Sequence, residues 1–79
     1  MQTQKRKHLS DIKKGHFVKV VGISGGKALV YRLNTMGIIP GTPVKIVQSS
    51  KGPVIIEARG SRIALGRGMI SKIEVETAD

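Results

Sequence analysis

Only one stretch of this 79-residue chain carries a helical apolar period, and its position limits what the rest can build. Between Gly25 and Gly41, Leu29, Leu33 and Met36 fall at i, i+4 and i+7, with Ala28 and Arg32 flanking the stripe. Gly37 stands just past the last periodic residue, where a left-handed helix cap needs a residue without Cβ. Pro40-Gly41 then fits the central pair of a type II turn. A helix of about three turns is too short to stand alone in water, so its stripe has to be buried on a sheet made by the flanking segments. Leu29, Leu33, Met36, Gly37, Pro40 and Gly41 are therefore structural residues in this reading.

The flanks read as short strands. Leu9 and Ile12 lie three apart and Gly15 ends the run, which predicts one helical turn with Ser10 or Asp11 near its start. Phe17 to Ile23 is the first strand, with Val18 and Val20 on one face and Phe17, Lys19 and Val21 on the other. Phe17 is nevertheless expected in the core. Pro43 to Gln48 and Val54 to Arg59 alternate as further strands, and Gly60-Ser61 is predicted as the two-residue loop of a type II′ hairpin leading into Arg62 to Leu65. Gly66 to Ile70 is a sharp corner, and Ser71 to Glu76 a last strand with Ile73 and Val75 on one face. Five strands, glycine corners and one helix predict a mainly β fold, a small SH3-like barrel with the helix in one connection. The expected organisation is a basic, disordered tail over residues 1–8, one domain over 9–76, and a frayed end over 77–79.

A chain this short buries only about 60% of its unfolded surface, so a deep active-site cleft is not expected. Cysteine is absent, which removes disulfides, thiolate nucleophiles and sulfur-based zinc sites. Neither a secretory signal nor a long apolar run is visible, and a cytoplasmic location is the expectation. The formal net charge of +9 asks for an anionic partner: nucleic acid, an acidic protein face or an anionic membrane surface.

The usual catalytic and ligand-binding patterns fail one by one. Gly22 to Ala28 follows a strand and opens a helix, but its spacing is one residue short of a P-loop and Ala28 stands where a Ser or Thr should hold Mg²⁺. His8 and His16 are eight apart with Asp11 between them, which matches no helical or finger spacing for metal. Glu74, Glu76 and Asp79 crowd the C-terminus instead of pairing for acid–base work, and no serine has a histidine base in a recognisable signature. A non-catalytic protein without cofactor or metal site is expected. Nucleic acid is disfavoured as partner, because Phe17 and Tyr31 are the only aromatic residues and no stacking platform can be assembled from them.

The series Leu9…Gly15, Gly25-Gly26, Arg32-Leu33-x-x-Met36-Gly37-Ile38-x-Pro40-Gly41, Val44, Gly52-Pro53, Arg59-Gly60, Ile63-Ala64-Leu65 and Ile73-Glu74-Val75 resembles the FeoA family over about residues 9 to 76. That resemblance implies a small SH3-like accessory protein of bacterial ferrous-iron uptake. Its implied partner is FeoB, the membrane transporter with a cytoplasmic GTP-binding domain, whose assembly or GTP turnover it would influence. Contact with the membrane would then run through the partner only. The same domain resembles the C-terminal module of metal-dependent repressors, whose DNA-binding helices this chain lacks. Gly66-Arg67-Gly68 departs from the charged residues that family members often carry after the Ala-Leu of the fourth strand. For the contact surface, the exposed side of the helix is expected: Lys27, Tyr31 and Asn34, with Arg32 at its margin. A basic nucleic-acid-binding barrel is the alternative. An iron carrier ranks last, since ferrous iron wants His and carboxylate ligands that are not brought together here.

Overall fold

A computed structural model describes residues 6–49 and 52–77. Among them the chain forms strands β1 (Arg6–His8), β2 (Phe17–Ile23), β3 (Pro43–Gln48), β4 (Val54–Ala58), β5 (Ser61–Leu65) and β6 (Ile73–Thr77). Helix α1 (Lys27–Thr35) connects β2 to β3, the single turn α2 (Arg67–Ile70) connects β5 to β6, and a 3-10 turn covers Leu9–Asp11. All strands pair antiparallel in one sheet of order β1-β6-β2-β3-β4-β5.

Strict alternation places one face of this sheet inside. Val18 and Val20, Val44 and Ile46, Val54, Ile56 and Ala58, Leu65, and Ile73 and Val75 point inward from successive strands. Leu9, Leu33, Ile38 and Ile70 complete the cluster from the connections. Register shifts in β2 between Val20 and Gly22, and in β3 between Ile46 and Gln48, add local twist that helps one sheet curl around a single core.

Three expectations are corrected. Residues 6–8, expected in a disordered tail, form β1 on the edge of β6, with Arg6 opposite Glu76 and His8 opposite Glu74. The basic tripeptide thus meets the acid-bearing strand, a pairing that its own three residues are too few to signal. Residues 1–5 and 78–79 lie outside the described residues, and Thr77 is the last residue of β6 instead of the start of a frayed end.

Phe17 is 61% exposed and not in the core, because it shares the outward face of β2 with Lys19 while Val18 and Val20 take the inward positions. The expected helical turn is present as the 3-10 turn Leu9–Asp11, with Ser10 near its start, and Asp11 accepts the His8 backbone N–H at 3.1 Å and closes the turn from its far end.

The third correction is the β4–β5 hairpin. Its loop is Arg59-Gly60, with φ of +54° and +82°, so both central residues are left-handed as a type I′ turn requires. Ala58 pairs with Ser61, Glu57 with Arg62 and Val54 with Leu65. A Gly60-Ser61 loop would instead set Arg59 directly opposite Arg62. Like charges facing each other across strands are destabilising and Glu–Arg pairs are favourable, so the register that strains Arg59 wins.

Candidate protein-docking surface

Helix α1 opens after Gly26, whose carbonyl accepts the Val30 N–H at 3.1 Å. Its inner side is narrow: Leu33 is fully buried, Leu29 and the C-capping Met36 are half-buried against the core, and Val30 is half-buried. The Ile38 N–H reaches back to the Leu33 carbonyl at 3.0 Å and the Gly37 N–H to the Asn34 carbonyl at 2.9 Å. This pair of bonds, with Gly37 at φ +88°, makes a Schellman cap, and Ile38 supplies its apolar contact beside Leu33 in the core. The helix is thereby held at its C-terminal end.

The segment that follows is tied down by the buried Thr42. Its hydroxyl donates to the Gly37 carbonyl at 3.2 Å and accepts the Ile39 N–H at 3.4 Å. The Thr42 N–H closes the Pro40-Gly41 turn on the Ile39 carbonyl at 3.1 Å, with Gly41 at φ +97° as the second central residue of a type II turn. Gly41 N–H to Val20 carbonyl, 2.7 Å, and Val20 N–H to Thr42 carbonyl, 2.9 Å, then fasten the turn to β2.

What this frame presents outward is Lys27, Tyr31 and Asn34, one stripe at i, i+4 and i+7, with Arg32 beside it; all four are exposed. Tyr31 is 72% exposed, an aromatic side chain left on the surface by a helix whose inner face is already filled. The Arg32 carbonyl accepts the Thr35 hydroxyl at 2.6 Å, which holds the last turn of the helix.

The other candidates stay apart. His8 is on β1 and His16 lies just before β2, with Asp11 engaged by the His8 backbone. Among the described residues no group of three or more His, Cys, Asp and Glu side chains gathers as a metal site would need. No helix of the described residues is long and apolar enough to cross a membrane.

Two surface features were missed from sequence. Arg59 lies over Gly37, where an added Cβ would come within 3.1 Å of the Arg59 Cδ; nothing in its sequence neighbourhood marks a left-handed arginine. Phe17 did carry a signal, its alternation with Val18 and Val20, which the general preference of phenylalanine for interiors outweighed.

Comparison with known proteins bears on the whole domain. The family described as FeoA domain matches residues 7–77. A protein of Methanocaldococcus jannaschii, provisionally named Fe(2+) transport protein A, is 44% identical over 71 residues, covering 90% of this chain and 87% of its own. A crystal structure of an iron uptake regulatory protein (FeoA) superposes with a TM-score of 0.85 at 33% identity, over 91% of this chain and 97% of that one. The FeoA of Stenotrophomonas maltophilia, solved with zinc and described as a prokaryotic SH3 domain protein, shares the fold with a TM-score of 0.77 at 20% identity, over 87% of this chain and 88% of its own. The fold is thus the SH3-like one expected from the strand pattern, and by its family match and by its identity to the archaeal relative this chain belongs to the FeoA family.

Proposed function

We propose that this chain is a non-catalytic accessory protein of ferrous-iron transport that acts in the cytoplasm on a FeoB-type transporter, supporting its assembly or modulating its GTP turnover. Kinship supports the transport assignment: the archaeal relative is named for Fe(2+) transport, and the Stenotrophomonas protein is described as a candidate ferrous iron transport activating factor. The observation that carries the docking part is Tyr31. It stands 72% exposed on a helix locked at its C-terminal end, flanked by exposed Lys27, Asn34 and Arg32. Tyrosine and arginine on a rigid element anchor protein interfaces far more often than lysine does, since they bury large area at low entropic cost.

The test is an NMR titration of the labelled chain with the soluble GTP-binding domain of the transporter at moderate salt. Saturable shifts centred on Lys27, Tyr31, Arg32 and Asn34 are expected, and Tyr31→Ala should weaken binding at least tenfold while leaving the melting temperature in place. A cluster of shifts elsewhere would keep the partner and discard this surface. Absence of shifts with both the soluble domain and the intact transporter would overturn the proposal, and duplex and single-stranded DNA would then be titrated for the basic-barrel alternative.

A further inference from the structure

The docking stripe uses few of the basic residues, and a second stretch of surface carries an exposed aromatic residue with a lysine over its ring and further lysines along the same strand and the turn before it. Phe17 opens β2 as a residue 61% exposed, and its cross-strand partner Lys45 holds the ammonium 5.3 Å from the ring centroid. Lys19, the next outward residue of β2, faces exposed Pro43 on β3. Lys13 and Lys14 sit in the turn that delivers the chain to β2, fixed there by the Gly15 N–H on the Ile46 carbonyl at 2.8 Å. Glu57 is opposite Lys45 and Glu76 opposite Lys19, so four lysines meet two glutamates on this side and the balance stays positive.

We propose that this face, Phe17 with Lys45 across the strand pair, Lys19 further along β2 and Lys13 and Lys14 in the preceding turn, contacts the anionic phospholipid headgroups of a bilayer directly. The chain then touches the membrane through its own residues as well as through any transporter. The combination of side chains selects this occupant. A nucleic acid offers phosphates to the lysines but gives a lone ring nothing to join, because binders of single strands use several aromatic side chains in series. A folded partner protein fits less well, since protein interfaces enrich aromatic residues and Arg but deplete lysine, and both the residue opposite Phe17, Lys45, and the next outward residue of β2, Lys19, are lysine. A second copy would press one +9 chain against another. A bilayer surface accepts both parts: the ring enters below the headgroups while lysine stems lie along the boundary and their ammonium groups stay at phosphate level.

The test needs no transporter, so its result stands apart from the function proposed above. The full chain is sedimented with vesicles of phosphatidylcholine alone and of equal parts phosphatidylcholine and phosphatidylglycerol, at low and physiological salt. Binding to the anionic vesicles alone, falling with salt, is expected. Phe17→Ser should weaken it about tenfold and Lys45→Gln or Lys14→Gln about fivefold each, while Lys72→Gln, an exposed lysine outside this cluster, changes it less than twofold. A Phe17→Trp variant should show blue-shifted emission with anionic vesicles and none with neutral ones. No partitioning into anionic vesicles would overturn the proposal. So would Phe17→Ser and Lys45→Gln having no more effect than Lys72→Gln, which would mark diffuse attraction by net charge. Equal loss of duplex DNA binding in Phe17→Ser would assign the face to nucleic acid instead.

Discussion

Replacing Gly37 should reveal how much the α1 cap contributes. Gly37 has φ +88° and donates its N–H to the Asn34 carbonyl, and a Cβ placed there would meet the Arg59 Cδ at 3.1 Å. Alanine keeps both Schellman hydrogen bonds, so its cost is left-handed strain of about 1–2 kcal/mol, offset by about 0.4–1 kcal/mol from the lost freedom of the unfolded chain. The net expectation for Gly37→Ala is a loss of about 1 kcal/mol, and in a domain this small that lowers the melting temperature by roughly 4–8 °C. Gly37→Val should cost about 1 kcal/mol more, because branching at Cβ resists positive φ, and Gly37→Asn should be the mildest, since asparagine tolerates that region. Calorimetric or circular-dichroism melts at one pH, with a denaturant midpoint for each variant, measure the series. Crowding against Arg59 is the competing cause, and repeating Gly37→Ala in an Arg59→Ala background separates the two. Strain at φ predicts nearly the same loss in both backgrounds. A Gly37→Ala protein as stable as the parent, or a loss that vanishes without Arg59, would refute the reasoning.

The other expectations concern the core, the hairpin and the buried hydroxyl. Leu33 is the one residue of α1 that is fully buried, and Leu33→Ala should cost about 2–5 kcal/mol, enough to leave much of so small a domain unfolded; an unchanged denaturant midpoint would contradict it. Arg59→Asn places the preferred Asn-Gly pair in the type I′ turn and should raise stability by about 0.5–1 kcal/mol, whereas a lower melting temperature would show that the Arg59 side chain over Gly37 outweighs its backbone strain. Thr42→Val keeps the shape but removes a hydroxyl that bonds to Gly37 and Ile39, with an expected loss of about 1–2 kcal/mol in a urea titration. Thr42→Ser should recover part of it, and equal stability of Val and Thr would remove that staple from the account.

The candidate docking surface was legible because a helix with a narrow inner stripe leaves its opposite residues nowhere to go. Leu33 at the centre of the stripe faces in, so Lys27, Tyr31 and Asn34 face out. The basic face around Phe17 was not legible. It depends on Lys45 lying opposite Phe17 across β2 and β3, and strand partners are not written in either segment.

Local rules therefore determined a large part of this molecule from sequence alone. The limits of β2 and β3, the inward alternation of their valines and isoleucines, the helix, and the positive φ of Gly37 and Gly41 all follow from side-chain period and from glycine chemistry, which act within a few residues. Tertiary structure decided what depends on a partner far along the chain. It paired the basic residues 6–8 with β6, and it chose the hairpin register that sets Glu57 rather than Arg59 against Arg62. Phe17, by contrast, lies outside by its own alternation with Val18 and Val20, and tertiary structure added only the lysine of β3 that stands over its ring.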